Sequence, residues 1–354
     1  MTLVKPMKTI FTILAACILM GLVLGPQALA GPKKIRVVGS WSSLTLFKNF
    51  EKPFWTQTIP REMGVETSMT SLSQVKLKGP AVLRGMEMGL FDVVYTCADY
   101  VVPDSPALAG LDLPALATDI ASARKVADAY WQVMETYLEK DFNVKLLSII
   151  PYPAQVLFST EKINGLSDLK GKKIRASGWT TSEFVSALGA SGITLAFSEV
   201  PQALQRGIVT GAITGSLSGF SAGWGEVSDY VYPLPMGGWD YVIGTMRMDT
   251  WNSLSPADQA KLMDLVKTEM MEPAWQVTAD ETEQGLVCLS GKGDCRYGTP
   301  GKVAILPITE GDKDLARKIL VDHVLPAWAK KVDKEVIGQW NAGVGKVVGL
   351  NAAH

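Results

Sequence analysis

Residues 172–182 read KKIRASGWTTS, and residues 33–43 read KKIRVVGSWSS. Each is a short strand-like run that closes on Gly, Ser and Trp, where a loop begins. Downstream of the first lies AVLRGMEMGLFDVV (residues 81–94), and downstream of the second ALQRGIVTGAIT (residues 203–214). Both hold Arg-Gly-x-x-x-Gly: Arg84, Gly85 and Gly89 in one, Arg206, Gly207 and Gly211 in the other. The order reads as strand, helix, strand, then a helix that stops at glycine and feeds another buried strand. Gly89 and Gly211 are predicted to be the left-handed stops. Strands alternating with helices imply a parallel sheet covered by helices. The same order met twice predicts two α/β lobes with parallel-rich sheets. Ligands of such lobes sit beyond the carboxyl ends of the strands, so two facing lobes make a cleft. Trp41 and Trp179 stand at matching strand ends and are candidate contacts, although a loop Trp also serves as a packing anchor.

Composition agrees with two cores. The chain has 354 residues, 47% hydrophobic and 19% charged, enough apolar surface to exclude disorder. Its formal net charge is −1, from 34 basic and 35 acidic residues, so a polyanion such as nucleic acid is excluded as a partner. Only two histidines occur, His323 and His354, which leaves little for His-based catalysis or a His-rich metal site. No Walker pattern is present, so no nucleotide or other cofactor is expected, and no ligand cluster suggests a metal.

Residues 1–30 read as a secretory signal: Lys5 and Lys8, an apolar run from Ile10 to Gly25, then Ala28-Leu29-Ala30 as the cleavage site. The run is shorter than the roughly 20 residues that span a bilayer. Leu14-Ala15-Ala16-Cys17 also matches a lipoprotein box, but cutting there leaves an exposed apolar stub. Export places the protein in the periplasm and makes a disulfide between Cys288 and Cys295 the natural reading, because they flank a turn-rich loop. Cys97, in an apolar segment, reads as a buried free thiol.

The remaining organisation is coarser. Lobe I is expected over residues 31–154 and lobe II over 155–244. Residues 245–330 are expected to bridge the lobes and partly return to lobe I, with a low-information tail over 331–354. Ser255-Pro256 starts a helix whose apolar positions run through Leu262, Leu265 and Val266 to Met270; it is long enough to cross both lobes, though Pro273 is expected to kink or end it. A second helix is predicted from Leu315 to Trp328.

The central block NGLSDLKGKKIRASG (164–178), followed by LGASGITLAFSEVPQALQRGIVTGAITG (188–215), resembles the periplasmic solute-binding subunits of TRAP transporters, the DctP family. WNSLSPADQAKLMDLVK (251–267) is similar to the family's later helix start. The resemblance extends over about residues 33–330. It implies a two-lobe flytrap with a long C-terminal helix, closing on an organic acid and delivering it to the small and large membrane subunits. It also implies that Arg175, the Arg of the K-I-R motif, holds the carboxylate. The chemistry is independent of the likeness: a guanidinium presents a planar fork to both carboxylate oxygens. Phe197 corresponds to a pocket-lining Phe. Thr214 stands where many acid binders carry Asn, and Gln155 where some carry a second Arg. These departures remove charge and polarity, whereas Trp179, Phe197, Trp239 and Tyr241 add aromatic surface. The expected ligand is therefore a monocarboxylate with an apolar or aromatic body; the bland reading is that these rings only pack the lobes.

Two other readings remain at this point. A binding protein serving an ABC importer or a sensor follows the same fold logic. A secreted esterase is suggested by Gly219-Phe220-Ser221-Ala222-Gly223, a formal G-x-S-x-G, with Asp322 and His323 able to complete the order. Against it, the surrounding segment is Gly/Ser-rich and no oxyanion-loop motif precedes it.

Overall fold

A computed structural model describes residues 34–75, 77 and 81–353. The expected export signal, Cys17 and His354 lie outside these residues. Among the described residues eleven strands occur in chain order: β1 (Lys34–Gly39), β2 (Glu66–Ser71), β3 (Val93–Cys97), β4 (Val144–Ile150), β5 (Gln155–Ser159), β6 (Lys173–Ala176), β7 (Ser191–Thr194), β8 (Gly211–Gly215), β9 (Tyr230–Tyr232), β10 (Val242–Arg247) and β11 (Ala304–Ile305).

They form two sheets, in the orders β2-β1-β3-β10-β4 and β11-β9-β5-β8-β6-β7. The lobes share one plan. In each, three strands run parallel (β2-β1-β3 and β7-β6-β8), and an antiparallel strand closes on the third, β10 on β3 and β5 on β8. The sheets are therefore mixed. Each closing strand enters its sheet just after the chain has crossed from the other lobe, so the two crossings tie the lobes together.

The internal repeat holds, but its glycines are offset by one helical turn. In the first copy the helix α1 (Ala81–Glu87) is followed by Gly89 at φ 70°, four residues before β3. In the second copy the left-handed residue after the helix Val200–Gln205 is Gly207, at φ 66°, again four residues before β8. Gly211 is instead the first, buried residue of β8. The matched letters lie out of structural register because an Arg-Gly pair suits either a helix interior or its stop.

The helix that follows Ser255 begins as read: the Ser255 hydroxyl accepts from the backbone N–H of Asp258 at 3.1 Å, with Pro256 in the first turn. Pro273 does not end it. Helical structure continues over 256–290, and the wide π-turns at Val266–Met271 fall just ahead of the proline. Proline lacks an N–H and its ring crowds the carbonyl four residues back, so a wider turn there lets the run continue. Its first part packs on β4; its later part, α2 (Glu272–Ser290), packs on the helix Ser216–Ser221 and on β11, so the run spans both lobes.

Two expectations about the C-terminal part are corrected. The helix predicted from Leu315 starts at Glu310, with the Thr309 side chain capping Asp312. The segment after Lys330 is structured: Val336, Trp340 and Val344 recur every four residues and are buried. Trp340 donates to the Gly110 carbonyl at 2.9 Å and packs on Trp328. Each such buried side chain contributes roughly 1.5–3 kcal/mol, so this tail is part of lobe I. Cys288 and Cys295 are joined in a disulfide, and Cys97 is a buried free thiol.

Candidate functional site

Where the lobes meet, the chain crosses at residues 151–154 and 233–241. The two crossings are hydrogen-bonded to each other, Tyr152 N–H to the Trp239 carbonyl at 3.0 Å and Gln155 N–H to the Gly238 carbonyl at 3.1 Å. Beside them lies a small void of about 10 Å³, room for about one water, lined by residues of both lobes that include Trp41, Tyr100, Tyr152, Arg175, Phe197, Thr214 and Asp240. Sites for drug-sized ligands run to roughly 300–1,000 Å³, so with the lobes as they stand this space takes no organic ligand, and the lobes must part to admit one.

Arg175 sits on β6, a strand flanked on both sides by parallel neighbours, and is only 1% exposed. Its Nε donates to the Leu195 carbonyl at 3.0 Å and its Nη1 to the Ile213 carbonyl at 2.7 Å. The Trp224 ring lies 5.6 Å from the guanidinium carbon. Two carbonyls and an indole thus fix the plane of the fork, while Nη2 has no protein acceptor among the described residues. No ion pair joins Arg175 to an acid among the described residues. A guanidinium held this way loses little freedom when an anion pairs with it.

The opposite wall comes from lobe I. Trp41, two residues beyond β1, meets Tyr100 edge-on at 5.6 Å, Phe197 at 5.9 Å and Tyr152 at 6.2 Å. The Trp41–Phe197 contact crosses between the lobes. On one side of this cluster the Asp99 carboxylate accepts from the Ser177 hydroxyl at 2.9 Å, a second contact from lobe I to lobe II. Burial, and then the nearby charge of Asp240, push the Asp99 carboxyl up to about 7. A Cβ at Gly178 would collide with that carboxylate, so the close approach of the lobes requires glycine there.

Arg175, Trp41, Phe197 and Thr214 therefore meet on one void. Three other candidates do not. Trp179 starts the helix Trp179–Ala187 and lines an outer opening with Asp99, Tyr100 and Ser177; the Lys331 ammonium lies 4.9 Å from its ring centre. Trp239 turns into lobe I, where its indole N–H donates to the Ala117 carbonyl at 3.0 Å. Gln155 is a hinge residue, its amide bound to the Pro153 carbonyl at 2.9 Å. Tyr241 is likewise spent on packing, donating to the Ala123 carbonyl.

Ser221 lines a separate small recess with Glu281, Tyr152 and Pro153, and His323 does not line it. His323 is exposed on the turn Leu320–Val324. The esterase constellation is not assembled.

The profile of the bacterial extracellular solute-binding proteins, family 7 (DctP), matches residues 55–288. The chain belongs to this family. A curated solute-binding protein of Roseobacter denitrificans is 29% identical over 220 residues, which is 61% of this chain and 63% of that protein. A TRAP periplasmic solute-binding protein from Desulfovibrio salexigens, solved with bound orotic acid, superposes with a TM-score of 0.79 at 19% identity, covering 89% of this chain and all of that one. An extracytoplasmic solute receptor of Bordetella pertussis that binds pyroglutamic acid gives 0.77 at 20% identity, over 88% and 99% of the two chains. These likenesses establish the two-lobe fold.

For this DctP-family chain, sequence reading passed over five lining residues, among them Ser218 on the helix Ser216–Ser221. Tyr100 was findable as the residue that follows β3, the strand matching β8. Tyr152, Asp240 and Leu44 lie on crossings and loops with no motif of their own. Asp240 adopts a left-handed backbone, φ 46°, held by Asp112, whose carboxylate accepts from the N–H groups of Trp239 (2.9 Å) and Asp240 (2.7 Å).

Proposed function

We infer that this chain is an extracytoplasmic receptor that captures a small organic carboxylate between its lobes and hands it to the membrane subunits of a TRAP transporter in the periplasm. One observation carries the reading: a buried guanidinium, oriented by two carbonyls and an indole, lines the small void between the lobes with Nη2 unused among the described residues. Binding of an anion there favours the closed form, because Trp41 and Tyr100 of lobe I reach the ligand only when the lobes meet. Ligand chemistry in related proteins supports the class, since orotate, pyroglutamate, malonate and galacturonate are all carboxylates. Rings on the far wall favour a body that is apolar or flat over a polyhydroxylated one. Capture, rather than catalysis, is the role; no nucleophile with its base stands on the void.

A thermal-shift screen of residues 31–354 against aliphatic, aromatic and keto carboxylates tests this. A ligand at about 100 times its dissociation constant adds roughly 2.7 kcal/mol of stability. A stabilising carboxylate supports the reading, and a panel in which sugars or amines stabilise and no carboxylate does would overturn it.

A further inference from the structure

Arg175 shares the void with a charge of the opposite sign. Asp240 lines the same wall, yet no ion pair joins the two among the described residues. Asp240 Oδ1 is buried without a hydrogen-bond partner, and the side chain credited to its carboxyl is the Cys97 thiol, a weak donor. A carboxylate left this way is costly unless something else meets it. Its placement is also built rather than incidental: a non-glycine residue is held left-handed by two hydrogen bonds to Asp112. Strain of this kind is kept where surrounding structure over-determines it.

The charge balance around the void points the same way. The charge of Asp240 disfavours the ionised form of Asp99, and Arg175 favours the ionised forms of both. A simple carboxylate on Arg175 would set a third acid beside Asp99 and Asp240 with no further cation lining the void. The rest of the wall, Trp41, Tyr100, Tyr152 and Phe197, presents aromatic rings, whose faces attract cations.

We propose that the cleft between the lobes, once they part, takes a small zwitterion, its carboxylate on Arg175 and its cationic nitrogen against Asp240 among the rings of Trp41, Tyr100, Tyr152 and Phe197. The proposal rests on the carboxylate reading above and narrows it to acids that carry a positive nitrogen a few bonds from the carboxylate. Asp240 is then the specificity-determining residue, and its missing partner is the ligand.

Matched pairs test it by calorimetry on the unaltered protein: trimethylglycine against 3,3-dimethylbutanoate, alanine against 2-methylpropanoate, proline against cyclopentanecarboxylate. In each pair the skeleton is kept and the charged nitrogen is replaced by carbon. At least one zwitterion is expected to bind ten-fold or more tightly than its isostere, and Asp240→Asn to erase most of that difference while leaving the isostere's affinity within about three-fold. Asn tolerates the left-handed backbone, so the fold is retained; the pairwise comparison in the unaltered protein stands even if the variant is unstable. Isosteres that bind as well as or better than every zwitterion overturn the zwitterion and leave the carboxylate reading standing. A protein that binds no carboxylate from these pairs or from the wider panel overturns both.

Discussion

The Asp99 carboxylate, carried just past β3 in lobe I, accepts a 2.9 Å hydrogen bond from Ser177, just past β6 in lobe II. The two strands are β3 of one lobe and the twin of β1 in the other, so the contact joins carboxyl ends of facing sheets. It sits beside Gly178, where a Cβ would strike the same carboxylate. Gly178→Ala is therefore expected to block full closure without disturbing either core. Carboxylate affinity should fall at least ten-fold, while the unliganded melting temperature changes by a few degrees at most. Small-angle scattering should show the compaction on ligand addition reduced. Unchanged affinity would mean that the lobes do not need this contact to close.

Buried carboxyls give the fold a pH dependence of defined sign. Glu51 is fully buried beneath Trp41's loop; its Oε2 accepts from the Ser40 N–H at 2.7 Å, and Oε1 has no partner. Burial raises its carboxyl from 4.5 to about 8, and Asp112 likewise from 3.8 to about 8. The folded state then holds more protons than the unfolded chain between those limits. Stability is fully present near the lower limit and is lost as pH rises through about 8. Thermal melts should show a melting temperature that declines from about pH 5 to pH 9. Glu51→Gln keeps the acceptor, supplies an amide for the orphan side, and should flatten that decline. A flat profile in the unaltered protein would show that these groups are solvated.

The Cys288–Cys295 bridge closes a short loop at the end of α2, far from any residue lining the void. Replacing both cysteines by serine should cost roughly 2 kcal/mol by loop-closure entropy. The loop leads into β11 through Val303 N–H, which bonds the Leu289 carbonyl at 2.9 Å. The melting temperature should drop by a few degrees, with ligand affinity within two-fold of the unaltered protein. A large loss of affinity would place this loop in the closing motion.

Much of this was legible in the sequence, for identifiable reasons. The twin KKIR runs become β1 and β6 because strand-favouring residues ending at Gly leave few alternatives, and Arg175 is visible through its motif. Legibility fails where residues distant in sequence are brought together. Asp240 and Tyr152 reach the void only because the two crossings are hydrogen-bonded side by side. Trp239 misled for the same reason: one residue before Asp240, it points to the other side of its segment. Gly207 rather than Gly211 stops its helix, since a shared Arg-Gly pair does not reveal which turn is the last. Trp340 was passed over because a four-residue apolar spacing in a short tail carries little signal until its partner Trp328 is in view.

Whether Arg175 holds the ligand's carboxylate is decided by calorimetric titration of the most stabilising carboxylate into the unaltered protein and into Arg175→Ala. Truncating one partner of a buried, hydrogen-bonded charge pair costs roughly 2–5 kcal/mol, so affinity should fall by at least about 30-fold, and Arg175→Lys should not restore it, because one ammonium cannot keep both the Leu195 and Ile213 carbonyls and still face the void. An affinity within three-fold of the unaltered protein in a folded Arg175→Ala would contradict the claim.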